Sequence, residues 1–102
     1  MMEGRPLKFR ILERLYDGRS YWSYEIVPLI MEDYGMTTDY ERDCVNFDMI
    51  EMATAGFIRT EKTELDSEGK FRKDRPVFLY SITDAGKKQF EWLVGNIGGD
   101  AK

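Results

Sequence analysis

Histidine is missing from the chain altogether, and cysteine occurs once, as Cys44. The first absence removes the side chain that titrates near neutrality, and with it His-based acid–base catalysis and His-containing metal sites. The second excludes an internal disulfide and any cluster of thiolate ligands. No apolar run approaches the roughly 20 residues that cross a bilayer, and Met1-Met2-Glu3-Gly4-Arg5 lacks the apolar centre of a signal peptide. The expectation is a cytoplasmic protein with no membrane partner. Carboxylates are plentiful, but no pair of them lies in an apolar setting that would shift a pKa. The chain therefore reads as a non-enzyme, with no catalytic residue, metal or cofactor implied.

What is present fits one domain, residues 1–102, with an ordered core over about 6–97 and a short flexible C-terminal tail. The composition is 42% hydrophobic and 33% charged, that of an ordinary globule. The net charge is −4, unevenly spread. Residues 1–55 hold six basic against eleven acidic side chains, and residues 56–102 hold nine against eight. A nucleic-acid partner would require a local basic surface within this acidic whole.

Periodicity outlines the elements. Pro6 suits a first helical turn, and Leu7, Ile11, Leu12, Leu15 and Tyr16 follow at helical spacing until Asp17-Gly18. A second helix is predicted over about Ser23–Tyr34, with Ser23 as its N-cap, Ile26, Leu29, Ile30 and Tyr34 as its stripe, and Gly35 as its stop. Pro28 near its start removes at most one backbone bond. Thr38-Asp39-Tyr40-Glu41 has the capping-box pattern and opens a third helix that runs to about Ala55. Cys44, Val45, Phe47, Met49, Ile50, Met52 and Ala53 are its apolar positions, and Cys44 on this stripe reads as a buried structural cysteine. Gly56 closes it. Thr83-Asp84 caps a last helix, whose apolar side is Phe90, Leu93, Val94 and Ile97. Gly95, Gly98 and Gly99 predict fraying before a loose Asp100-Ala101-Lys102.

Between the third and last helices lie two strands and a polar hairpin. A three-residue loop, Ser67-Glu68-Gly69, sets Leu65 opposite Phe71, Glu64 opposite Arg72, Lys62 opposite Asp74 and Glu61 opposite Arg75. Every charge pair is then complementary, each favourable by about 0.2–1 kcal/mol. Lys70 and Lys73 are left unpaired in that register. Pro76 cannot donate to a ladder, so its strand should be an edge there.

Three phrases carry a family resemblance: Tyr24-Glu25-Ile26, then Met49 and Met52 before Ala55-Gly56-Phe57-Ile58, then Tyr80-Ser81-Ile82-Thr83-Asp84-Ala85-Gly86-Lys87. Over roughly residues 7–95 the sequence resembles the PadR- and MarR-like winged-helix regulators. The resemblance implies an α+β winged helix-turn-helix: three helices, a β-hairpin wing and a C-terminal helix, with a short extra strand allowed after the first helix. It also implies a DNA-binding transcriptional regulator, a homodimer joined through its first and last helices. A recognition helix at about 39–51 would enter the major groove, and a wing at 59–76 would touch the backbone. Thr37, Thr38, Tyr40, Arg42 and Asn46 are then candidate groove residues, with Arg42 suited to guanine and Asn46 to adenine. Lys70, Arg72, Lys73 and Arg75 are candidate wing contacts with phosphate.

Each feature has a plainer reading beside the functional one. Residues 39–51 contain Asp39, Glu41, Asp43, Asp48 and Glu51 against Arg42 alone. That leaves open a solvated helix face, or a winged-helix protein-interaction module whose acidic third helix docks on a basic partner and binds no DNA. Tyr16, Tyr21, Trp22 and Tyr24 either line an effector pocket or, as preferred, pack the helices. Phe90 and Trp92 either form a dimer seam or close the monomer core.

Overall fold

In the computed structural model, which describes residues 6–95, the chain runs α1 (Leu7–Leu15), β1 (Tyr21–Trp22), α2 (Ser23–Tyr34), α3 (Asp39–Thr54), β2 (Ile58–Leu65), β3 (Pro76–Ile82) and α4 (Asp84–Leu93). The readings for Ile97, Gly98, Gly99 and the tail lie outside the described residues. The three strands form one antiparallel sheet in the order β1-β3-β2. Ile11, Leu12 and Leu15 of α1, Ile26, Val27 and Ile30 of α2, and Val45, Met49 and Met52 of α3 share one core with Ile58, Tyr80 and Ile82 of the sheet. Among the described residues no helix is long and apolar enough to cross a membrane.

The helix boundaries follow the local chemistry. Glu41 Oε1 accepts the N–H groups of Thr37 and Thr38, at 2.9 and 3.0 Å, while Thr38 Oγ1 accepts from Glu41 N–H at 3.1 Å. This reciprocal cap satisfies donors that the first turn leaves unpaired. The Thr38 and Thr37 N–H groups and the Thr38 hydroxyl favour the charged carboxylate and hold its pKa below the usual range. The predicted Ser23 cap is not formed. Ser23 is buried, and its hydroxyl instead accepts from Phe78 N–H of β3 at 3.2 Å; Glu25 caps α2 by accepting from Trp22 N–H at 2.9 Å. Pro28 sits inside α2 on its exposed side.

Asp33 ties α2 to α1. Its carboxylate takes Arg14 through two bonds of 2.8 and 2.9 Å and Arg10 through one of 2.7 Å. Arg14 first, then Arg10, outweighs partial burial and holds the Asp33 pKa down at about 2.

The root of the hairpin explains the Thr83–Gly86 phrase. Thr83 Oγ1 donates to the carbonyl of Gly56 at 2.7 Å and accepts from Gly86 N–H at 3.0 Å, so one hydroxyl both caps α4 and pins it to the turn after α3. Gly86 is buried against that turn. A Cβ there would collide with the Phe57 carbonyl oxygen and stand 2.8 Å from Ile82 Cγ1.

The charge-paired hairpin register is not the one adopted. The ladder runs Ile58–Ile82, Lys62–Leu79, Glu64–Val77 and Leu65–Pro76, with a bulge at Glu61, so residues 66–75 form a ten-residue loop. None of the predicted cross-strand charge pairs forms. Glu61 accepts instead from Ser81 Oγ at 2.6 Å and Ser20 Oγ at 2.9 Å. Exposed ion pairs are individually weak, whereas Asp66 is buried and its carboxylate accepts three backbone bonds, from Lys70 at 2.7 Å and from Phe71 and Arg72 at 2.6 Å each. Charge-assisted bonds of this kind are the stronger ones. Folding the loop back on Asp66 also packs Phe71 against the core, which a tip position opposite Leu65 would leave in water. Burial works against the charged form of Asp66, but the N–H groups of Phe71, Lys70, Arg72 and Gly69 prevail and lower its pKa. At Pro76 strand β3 has only β2 beside it, because β1 pairs no further than Leu79, so the missing donor faces an open edge.

Candidate nucleic-acid interface

Helix α3 has two unlike faces. Val45, Met49 and Met52 are buried, while Tyr40 and Phe47 are 77% and 58% exposed and Ile50 is 39% exposed. The expectation of a buried Cys44 is overturned: the thiol is on the exposed face, one turn from Tyr40. A straight helix turns only part of its circumference to a core. The apolar list read from the sequence therefore split, and its outer members face the wing or solvent.

The wing loop is fastened to this outer side. Arg72 Nη2 is 2.8 Å from Asp43 Oδ1 of α3. The Arg42 guanidinium lies over the Phe71 ring at 5.1 Å and within 3.5 Å of Asp39. Its Nε is buried without a hydrogen-bond acceptor among the described residues. Arg42 is thus turned toward the wing, 24% exposed, in the position of a brace between α3 and the loop. Thr37 and Thr38 are occupied in the cap described above. Asn46, half-buried, lines an open cleft of about 310 Å³ between α3 and the wing, together with Phe47, Ile50, Arg72, Arg75 and Phe78. Ile50 and Phe78 also border a neighbouring recess of about 280 Å³ that extends along Thr54 and Thr60.

The wing cations divide differently from the sequence reading. Lys70 is not unpaired: it stands 3.8 Å from Glu68 and 5.2 Å above the ring of Tyr24 in α2, on the side of the hairpin that carries Val77. Arg72 pairs with Asp43 rather than Glu64. Lys73 and Arg75 are exposed and make no ion pair among the described residues, and Arg75 borders the cleft. The structure therefore brings Asn46, Arg72 and Arg75 to one place, and holds Thr38, Arg42 and Lys70 in other contacts.

The aromatic cluster is held by stacking and hydrogen bonds among the described residues. Trp22 stacks on Tyr24 at 5.8 Å, the Tyr21 hydroxyl donates to Asp17, and Tyr16 donates to Glu91. Phe90 stacks on Phe9 at 5.2 Å and meets Tyr16 in a tilted contact at 4.8 Å, closing the monomer between α1 and α4, whereas Trp92 is 59% exposed. A small apolar recess of about 170 Å³ does lie between α1, α3 and α4, floored by Phe9, Leu12, Met52 and Phe57. The Lys8–Glu51 pair, 3.1 Å apart, stands at its edge.

Two contributors escaped sequence reasoning. Asp66 is an aspartate three residues before a left-handed Gly69, the ordinary signal for a side chain that organises its own turn. Asp43 gave no such signal, because its partner lies 29 residues away.

Three helices, the short strand between the first two, and a hairpin returning to a fourth helix define a winged helix-turn-helix. The chain is similar in structure to Bacillus subtilis PadR, as crystallised in complex with operator DNA, with a TM-score of 0.62 and 24% identity. The match covers 88% of this chain and 48% of that one, so the chain spans about half the length of the protein it resembles. This likeness establishes the winged-helix fold. No protein-family model matches the chain, and no curated protein sequence does.

Proposed function

We propose that the chain is a DNA-binding transcriptional regulator of the cytoplasm, a single winged-helix domain with a binding rather than a catalytic role. In this reading α3, over about residues 39–51, enters the major groove of double-stranded DNA, and the wing, over 59–76, lies on the backbone. The observation that carries it is the convergence of Asn46 from α3 with Arg72 and Arg75 from the wing on one open cleft, with exposed Lys73 on the same loop. A base-reading amide flanked by cations is the arrangement that groove and phosphate contacts require. Asp43 also lines this cleft, and its charge is met by Arg72, so the uncompensated positive charge there is that of Arg75. A homodimer joined through α1 and α4 would set two such clefts on a pseudo-palindromic site, and the exposed Trp92 supplies an apolar anchor for that seam.

The rival reading, a protein-interaction module that binds no DNA, is favoured by one observation: Tyr40 is the most exposed large apolar side chain of α3, and Asp39 and Asp43 beside it are exposed acids. A mobility shift on random duplex DNA at two salt concentrations separates the two. The regulator should bind, and weaken steeply with salt. Reversing both free wing cations, Lys73→Glu with Arg75→Glu, should cost at least about tenfold in affinity and flatten the salt slope by about 2. No binding at low salt would reject DNA as the partner.

A further inference from the structure

Phe47 and Ile50 have no role in the core and none in fastening the wing, yet they stand on the cleft beside Asn46. Asn46 and Ile50 are one helical turn apart, and Phe47 and Ile50 are neighbours on the same surface. An amide and two apolar side chains therefore face outward together. The flanking charges are cationic or neutralised: Arg75 is free of ion pairs among the described residues, and Arg72 holds Asp43 at 2.8 Å.

We propose that Phe47 and Ile50 are specificity-determining residues that pack on thymine methyl groups, next to an adenine held by Asn46, so that the site read by α3 contains A·T pairs at this point. This rests on the DNA-binding reading above. The chemistry of the groove selects the ligand. Among the base edges of the major groove, the thymine C5 methyl is the one apolar group, and adenine presents the N6–H and N7 pair that matches an amide. A G·C pair in the same place would set its O6, N7 and N4 polar groups against two apolar side chains that cannot bond them, and that desolvation would go unrewarded. One A·T pair offers the amide and the apolar surface their complementary partners at once.

The test uses the full chain and duplexes enriched by it from a random-sequence pool. The enriched site is resynthesised with deoxyuridine for thymidine, which removes the methyl groups and leaves every hydrogen-bonding edge intact. Affinity measured by fluorescence anisotropy should fall about fourfold for each contacted methyl lost, the factor expected for one buried methyl. Phe47→Ala and Ile50→Ala should weaken binding of the thymidine duplex and abolish its advantage over the deoxyuridine duplex, and Phe47→Leu should keep part of it. Phe47 is 58% exposed, so its circular dichroism melt should match the parent, whereas Ile50 is 39% exposed and its melt should shift only slightly. Equal affinity for the two duplexes overturns the methyl contact while leaving the DNA-binding reading intact. Failure to enrich any sequence, with no binding to the starting pool at low salt, overturns that reading and this inference with it.

Discussion

The root and the tip of the hairpin are the same two strands held in opposite ways. At the root Ile58 and Ile82 face each other, both buried, and Gly86 brings α4 against the Phe57 carbonyl with no space for a methyl group. At the tip the strands end at Leu65 and Pro76, both exposed, and the loop beyond them is ordered by the Asp66 carboxylate and by one ion pair to α3. Apolar packing at van der Waals distance admits one arrangement. Polar bonds can be exchanged for others, and a phosphate oxygen is as good an acceptor for Arg72 as Asp43 is. The root is thus scaffold and the tip is surface, within one supersecondary unit.

The comparison is broken most severely at the root. Gly86→Ala forces the α4 backbone away from Phe57 and should destabilise the fold by about 3 kcal/mol, read as a fall in thermal midpoint and in denaturant midpoint. An unchanged midpoint would mean that α4 is not locked to the turn. Asp33, on the helical side, gives the intermediate effect. Its folded pKa is about 2 against an ordinary 3.8, so its contribution is fully present above about pH 4 and is lost as the pH falls through about 2. Asp33→Asn should therefore cost about 2 kcal/mol near neutral pH, and the gap between variant and parent should narrow over that acid range. A gap that stayed constant down to pH 2 would exclude the Arg10–Asp33–Arg14 fork as its source. The smallest global effect is expected at the tip. Asp66→Ala removes the acceptor of three backbone bonds, so limited proteolysis should cut within residues 66–75 while the thermal midpoint of the remainder moves little. A cooperative loss of the whole fold would show that the tip is not independent of the root.

Much of the fold was legible because its signals are local. Gly35 and Gly56 stop helices with left-handed backbones, at φ of 69° and 87°, and Thr38–Glu41 closes its cap within four residues. The Thr83–Gly86 phrase marked the last helix for the same reason. The errors arose where a residue had a distant partner. Ser23 was read as a cap because Phe78, 55 residues on, could not be seen to claim its hydroxyl. The hairpin register was read from charges because the core contact of Phe71 was invisible. For the candidate site, Asn46, Arg72 and Arg75 were named individually, but their convergence depends on how the wing loop folds back over α3. Cys44 was misassigned to the core because periodicity identifies apolar faces and does not say which of them another element will cover.

The sequence by itself determined the order and type of the elements, the caps of α3 and α4 and the absence of histidine chemistry. All of these follow from residue identity and interactions within a turn of the chain. The tertiary structure decided which apolar face of α3 stays open, which wing cations are spent on Asp43 and Glu68, and that Asn46 and Arg75 line one cleft. Those outcomes depend on competition between bonds made across long stretches of chain, where a buried carboxylate with three backbone donors outweighs a ladder of exposed charges.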